Sequence, residues 1–537
     1  MRRDTKIFKR SNRIAGVAII ASLILFGAGS RATLAQTAFD ALRFSERQPG
    51  SGVRSLGMGG VGAAGIADYS AVYTNPAGLG LFKKSTLSGS LGIYSITDDA
   101  IYTVGSNSTS LSNDQSDTRL GHIAYVHKYP TARGSLVMAI GINQVQSFSR
   151  ELVYSGDNGD NSATDFFMPL PGEFEIDADS GQDGIFGTDD DVFFPSFSRP
   201  LSFIAFELFA IDFDADLYDS GDPIPFFPAV TTGTVRQTGS VTESGAMTEF
   251  NLAGAYEAAQ DVFLGASVNI PYGKWDFDRF LSEEDLQNDN DGSGGTIDFE
   301  FLEWDQFVES ELVGINARVG AVIRPDNGVR AGLSIESPTY YSITETFGTI
   351  MTVGFDDGYV DTYGDSVQED VGAGEFEYEI LTPWRFSGGV GFTTGDLTVM
   401  LDGEYVDWST LELDSGTFSF TDENRFIRQN FESVVNVSAG LEYRFDSFRA
   451  RLGVASKKDP VDLLPNQIDP ELGTLNRDRS YFSAGVTYAP NSQFALDIAW
   501  SQERFDDRFL PYEVTGGPVV TEEIARNRFS VGARFSL

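Results

Sequence analysis

The chain has 537 residues, with 78 acidic against 38 basic side chains, a net charge of −40, two histidines and no cysteine. The lack of cysteine excludes disulfides, thiolate metal sites and thiol catalysis, and His122 and His127 alone cannot build a histidine metal cluster. Acidity on this scale argues against nucleic acid as a partner, because phosphate binding draws on clustered Lys and Arg.

Arg2, Arg3, Lys6, Lys9, Arg10 and Arg13 precede an apolar run at residues 14–29. This is the layout of a secretory signal peptide. Small residues at Thr33 and Ala35 place cleavage between Ala35 and Gln36. The run is short for the roughly 20 residues of a spanning helix. The expected division is a signal peptide at 1–35 and an exported remainder with no helical span.

Residues 55–82 read SLGMGGVGAAGIADYSAVYTNPAGLGLF. So many Gly and Ala side chains cannot build a core, but they let the backbone pack closely inside something else. Pro76 fixes one backbone angle and Asn75 tolerates turn geometry, so Asn75-Pro76-Ala77-Gly78 reads as a firm corner. Gly60, Gly62 and Gly65 fit G-x-G-x-x-G, but no buried strand precedes them and no long helix follows, so a dinucleotide site is not supported.

The segment resembles the N-terminal plug, or hatch, of the FadL/TodX family of outer-membrane transporters. The resemblance is carried by Gly57, Gly59 and Gly60 with their neighbours Ser55, Leu56 and Met58, by Ala67-Asp68, and by Asn75, Pro76, Ala77 and Gly78. A second matching stretch is Thr382-Pro383-Trp384-Arg385-Phe386-Ser387. It implies a hatch of short helices at 36–83 inside a barrel formed by 84–537.

From residue 84 onward, strand-like segments alternate with connectors. Val435, Val437, Ala439, Leu441 and Tyr443 share one face, and Asn436, Ser438, Gly440, Glu442 and Arg444 the other. Such period-two patterning means one apolar and one polar face. In an exported chain of this length it suits a membrane barrel, apolar toward lipid and polar toward the lumen. Fourteen strands are predicted, near 84–95, 119–129, 134–152, 246–258, 261–276, 310–323, 328–346, 376–393, 396–411, 430–444, 447–458, 479–489, 492–506 and 524–537. Six connectors are tight (130–133, 259–260, 324–327, 394–395, 445–446 and 490–491). Seven are long (96–118, 153–245, 277–309, 347–375, 412–429, 459–478 and 507–523), and the long ones are acidic. The predicted fold is an all-β, 14-stranded antiparallel transmembrane barrel with both termini periplasmic. Alternation runs to Leu537, which suits a closing strand and resembles the terminal signal read by the barrel-assembly machinery.

The polar faces direct Arg318, Arg385, Asp402, Glu404, Glu442, Arg444, Arg449, Arg451, Asp497 and Arg534 into the lumen, where they are expected to pair with each other and with the hatch. Asp402 and Glu404 stand about 7 Å apart along their strand, but no nucleophile motif accompanies them, and an enzyme is not expected. The resemblance implies passive, monomeric uptake of long-chain fatty acids or hydrocarbons across the outer-membrane lipid, with sideways exit at a distorted third strand. There, Asn143, Gln146, Ser147 and Ser149 break the apolar alternation; they mark either the opening or a part outside the bilayer. A non-transporting barrel serving a secretion or assembly complex is the alternative. Asp289, Asp291, Ser293 and Glu300 resemble the ligand positions of an EF-hand calcium loop, with one extra glycine; residues 177–191 are a second acidic candidate. No other cofactor is expected.

Overall fold

The computed structural model describes residues 38–180, 192–288, 299–325, 327–364, 371–461 and 475–537. The signal peptide and the Ala35–Gln36 cleavage site lie outside the described residues.

Fourteen antiparallel strands form one closed barrel. They are β1 (Thr86–Val104), β2 (Asn107–Tyr129), β3 (Leu136–Ser147, resuming at Arg150–Asn158), β4 (Val235–Ala259), β5 (Val262–Glu284), β6 (Phe299–Ile323), β7 (Val329–Glu336 and Tyr340–Phe355), β8 (Gly374–Leu381 and Arg385–Thr394), β9 (Leu397–Asp407), β10 (Ser433–Phe445), β11 (Phe448–Lys457), β12 (Arg479–Tyr488), β13 (Phe494–Phe509) and β14 (Val519–Ser536). Closure is made by β1 and β14, in register from Thr86↔Ser536 to Thr103↔Val519. Pairing the first strand with the last removes the two terminal edges that could template aggregation.

The alternation has the expected sense. Val435, Val437, Leu441 and Tyr443 of β10 are exposed on the outer wall, whereas Glu442 is buried inside. The same outer apolar face recurs at Leu87, Leu91 and Ile93 of β1 and at Val313, Ile315 and Val319 of β6. Lipid favours that face, because strands carry their backbone hydrogen bonds within the closed sheet.

Several connectors expected to be long are strand. Residues 96–118 are not a loop: β1 and β2 run on together to Val104↔Asn107 and turn at Gly105, whose φ is +53°. Likewise β5 extends to Glu284, β6 begins at Phe299, and β7 continues to Phe355. The physical reason is that a hairpin standing in water has no lipid face. Its residues, such as Ser108-Thr109-Ser110, keep strand geometry without apolar alternation.

Within 153–245, β3 and β4 occupy the ends. Between them lie α-helices Ala163–Phe167, Pro200–Glu207 and Ala215–Ser220 and two small hairpins, Phe174–Asp179 with Val192–Phe197 and Ile211–Phe213 with Phe226–Pro228. Their aromatic rings pack on one another, Phe174 on Phe226 at 5.0 Å and Phe193 on Phe213 at 5.2 Å. Phe166 and Phe167 reach the barrel at Trp304. The cap is thus a small aromatic core seated on the mouth.

Candidate functional site

Residues 38–82 lie inside the barrel. They form three short helices, α1 (Ala38–Ser45), α2 (Val53–Leu56) and α3 (Ala71–Thr74), and a 3-10 turn at Pro76–Leu81. Gly59 and Gly60 have φ of +72° and +85°, the left-handed region that glycine enters without penalty. Their small size also permits contact with the wall: a Cβ on Gly59 would stand 2.7 Å from the Val454 carbonyl oxygen, and one on Gly57 would stand 3.1 Å from the Gly485 Cα.

The Asn75 corner is a hydrogen-bond hub. Its side chain accepts from the Ala77 N–H at 3.1 Å and caps the turn that Pro76 opens. Its amide donates to the carbonyls of Ala63 (2.7 Å), Ala321 (3.2 Å) and Leu333 (3.2 Å). One buried side chain therefore ties two parts of the N-terminal segment to β6 and β7.

Charged wall residues hold the same segment. Asp402 accepts from the N–H groups of Gly62 (2.5 Å) and Ala63 (2.7 Å). Arg318, almost fully buried, donates to Glu249 at 2.7 Å, to Glu336 at 2.5 Å and to the Val72 carbonyl at 3.2 Å. Glu336 also takes a bidentate pair from Arg47. Arg385 donates to the Ser45 carbonyl at 2.6 Å and lies 3.5 Å from Glu404. Arg451 joins Glu442 (2.7 Å) and Asp497 (3.5 Å), and Arg534 joins Asp497 at 2.8 Å. Burial opposes ionisation of Asp68 in this segment, but the Arg534 guanidinium and the Ser70 N–H outweigh it and hold the carboxyl below its ordinary value. Burial also pushes the Tyr73 hydroxyl up to about 12.

Arg444 does not join this interior set. Its side chain is 58% exposed and pairs with Asp396 at 2.9 Å beside a tight turn. Alternation assigns a face but not a height along the barrel, and Arg444 sits at the rim. Among the proposed calcium ligands, Asp289, Asp291 and Ser293 lie outside the described residues, while Glu300 is in β6. Of the second acidic candidate, residues 181–191 also lie outside.

The wall is broken between β2 and β3. These strands are laddered from Tyr129↔Leu136 only as far as His122↔Asn143. Past that point β2 stays with β1, and β3 stays with β4 through a register slip between Gln144 and Gln146. β3 then lapses at Phe148 and Ser149, where the Phe148 N–H donates to the carbonyl of Gly245 (3.1 Å), itself at φ +103°. Side chains span the unpaired stretch: Arg119 of β2 donates to Asp117 (2.6 Å), to Ser149 (2.9 Å) and to the Gly245 carbonyl, and Ser149 donates to Asp117 at 2.7 Å.

Behind the break lies a cleft of about 560 Å³, counting the space open to solvent. Ser147 and Ser149 line it; Asn143 and Gln146 do not. Gln146 instead donates to the Arg43 carbonyl at 2.9 Å, and Gln48 N–H donates to Val145 at 3.2 Å. Phe44 meets Phe148 edge-on at 5.9 Å and Trp275 at 5.6 Å. The N-terminal helix is therefore attached directly to the distorted part of β3.

Sequence reasoning missed three groups. Wall glycines Gly265, Gly320, Gly332, Gly440 and Gly453 each face the N-terminal segment so closely that a Cβ would run into it. Asn251, Asn269 and Asn316 form a buried amide chain across β4, β5 and β6, with links of 2.8 Å. Asp117 and Arg119 bridge the break. The glycines and asparagines were readable only as recurrent small or amide residues at inward positions.

The sequence profile of the outer membrane protein transport proteins (OMPP1/FadL/TodX) matches residues 231–510. No curated protein matches the sequence. Among solved structures, a Pseudomonas aeruginosa FadL homologue is similar at 13% identity, over 91% of this chain and 99% of that one, with a TM-score of 0.52. The P. putida toluene transporter TodX is 11% identical over 90% and 97% (TM-score 0.47), and the Ralstonia pickettii toluene transporter TbuX 16% identical over 90% and 98% (TM-score 0.43). At such identities the likeness is one of fold, and the first of these structures carries it.

Proposed function

Because this chain belongs to the OMPP1/FadL/TodX family of outer membrane transport proteins, we propose that it is a passive channel for hydrophobic small molecules, such as long-chain fatty acids or hydrocarbons. Residues 36–83 act as the plug, both termini face the periplasm, and a single copy suffices. The substrate enters through the aromatic cap, passes beside the N-terminal helix and leaves sideways between β2 and β3. The observation that carries this reading is the end of the β2–β3 ladder at His122↔Asn143, with the cleft behind it. Polar backbone facing lipid is costly, so an unpaired stretch of wall needs a use. The bridge of Asp117, Arg119 and Ser149 closes the gap with side chains, which move aside more readily than a backbone ladder.

The test is uptake of labelled palmitate and toluene by cells expressing the full chain or one lacking residues 36–83. The full chain is expected to raise uptake of at least one ligand above that of cells without it. Uptake by cells with the full chain no higher than by cells without it would overturn the transport reading.

A further inference from the structure

Along β5 the outer face changes from Val268, Ile270 and Tyr272, which suit lipid, to Lys274, Asp276 and Asp278, which suit water. Glu283 lies beyond this change, near the end of the strand, and is fully buried under the cap. Its Oε2 accepts from the Ser162 hydroxyl at 2.5 Å. Its Oε1 accepts from the Ala163 N–H at 2.8 Å and from the Gln237 amide of β4 at 2.5 Å. Ser162 and Ala163 open the cap helix Ala163–Phe167, whose Phe166 and Phe167 rings rest on Trp304. One carboxyl group therefore fastens the cap to the wall. Gln237 also donates to the Tyr512 hydroxyl at 2.5 Å, which brings in the connection between β13 and β14.

The donors around Glu283 point one way. Ser162 Oγ already accepts from the Thr164 N–H (3.1 Å) and the Thr164 hydroxyl (3.0 Å), so its own hydrogen is left for Glu283. No Lys or Arg among the described residues lies within ion-pair distance of this carboxyl. The titratable groups facing it are Asp165 of the cap helix and the hydroxyls of Tyr102 on β1, Tyr154 on β3 and Tyr512. Opposite it, β6 presents Leu302. Arg279, an inward cation of β5, is turned to Gln306 at 3.2 Å and to the Trp304 ring. A buried carboxylate without a cation is costly, and hydrogen bonds recover only part of the loss. Burial outweighs the three donors and pushes the Glu283 carboxyl up to about 7, from its ordinary 4.5.

We propose that Glu283 is a pH-responsive latch, which docks the cap on the mouth more firmly in acid than in alkali. When the cap lifts, water reaches the carboxyl and its ordinary acidity returns. Between the two values the docked form keeps a proton that the lifted form releases, so docking weakens as pH rises. The gain is complete below about pH 4.5 and is lost as pH rises through about 7. The latch concerns docking of the cap alone and does not rest on the transport reading.

The test is hydrogen exchange of the full mature chain in phosphatidylcholine nanodiscs. It is read at the amides of Ala163–Phe167, as protection relative to the free-peptide rate at the same pH. Wild-type protection is expected to fall about tenfold or more between about pH 5 and about pH 8. Glu283→Gln, which cannot ionise, keeps its protection within about twofold over the same range. Ser162→Ala removes a donor from the anion and moves the step to higher pH, which decides the matter if Glu283→Gln does not fold. Equal wild-type protection at both ends of the range overturns the latch. A step of unchanged size in Glu283→Gln, or of unmoved position in Ser162→Ala, overturns it too by assigning the pH dependence to another group.

Discussion

Arg54 of the N-terminal segment and Glu442 of β10 form a two-point ion pair inside the barrel, with Nε–Oε2 at 3.0 Å and Nη2–Oε1 at 2.7 Å. Arg451 of β11 shares the same carboxylate at 2.7 Å. Glu442 is thus flanked by one cation from the segment and one from the wall. Replacing it by Gln leaves two buried guanidinium groups facing each other, and breaking a buried pair from one side costs about 3–5 kcal/mol. Glu442→Gln is expected to loosen residues 38–82 without opening the barrel. Limited trypsin digestion should then cut at Arg54, while the unheated protein still migrates as a folded barrel on a gel.

The wall glycines make a steric prediction. A Cβ on Gly453 would collide with Met58 and Gly59, whereas one on Gly254 would find its nearest neighbour, the Val137 carbonyl, at 3.6 Å. Gly453→Val should therefore displace the N-terminal segment and lower the thermal midpoint, in line with the 1–3 kcal/mol typical of overpacking. Gly254→Ala should change it by less than about 0.5 kcal/mol equivalent, as an uncrowded substitution does. Equal effects from the two would show that close approach to the segment is not what these glycines serve.

At the break, size and charge should act in opposite directions. Ser149→Trp fills the cleft side of the opening and is expected to slow palmitate uptake. Arg119→Ala removes the donor that spans β2, β3 and β4 and is expected to raise the initial rate severalfold, since charge-assisted hydrogen bonds contribute about 1.5–3 kcal/mol each. Initial rates in whole cells, normalised to barrel content, read both. An unchanged rate in each variant would move the exit elsewhere.

Calcium binding by the acidic residues between β5 and the start of β6 is a separate proposal. If Asp289, Asp291, Ser293 and Glu300 hold the ion, millimolar calcium raises the thermal midpoint, because a ligand that binds only the folded state stabilises it. Asp289→Asn with Asp291→Asn abolishes the shift. Magnesium, which favours a smaller octahedral shell, produces less of it.

The sequence alone determined what depends on neighbours along the chain. Period-two alternation at 435–443 identified a strand and its apolar face, because successive side chains point to opposite sides whatever the fold around them. The small-sided run ending in Asn75-Pro76-Ala77-Gly78 pointed to a segment that packs inside something, and the polar run from Asn143 begins at the last β2–β3 pair, His122↔Asn143. Only the tertiary structure decided what depends on height along the barrel and on partners far apart in sequence. Arg444 shares a face with Glu442, yet one turn of the pleat separates a solvated rim from a buried ion pair. The far end of the β1–β2 hairpin carries Ser108, Thr109 and Ser110 in place of apolar alternation, and only its ladder to Val104↔Asn107 reveals it as strand. Arg54 and Glu442 lie 388 residues apart, and Gly59 meets Val454 across the bore. Barrel closure creates such pairs, and no local pattern encodes which inward residue will meet which part of the segment.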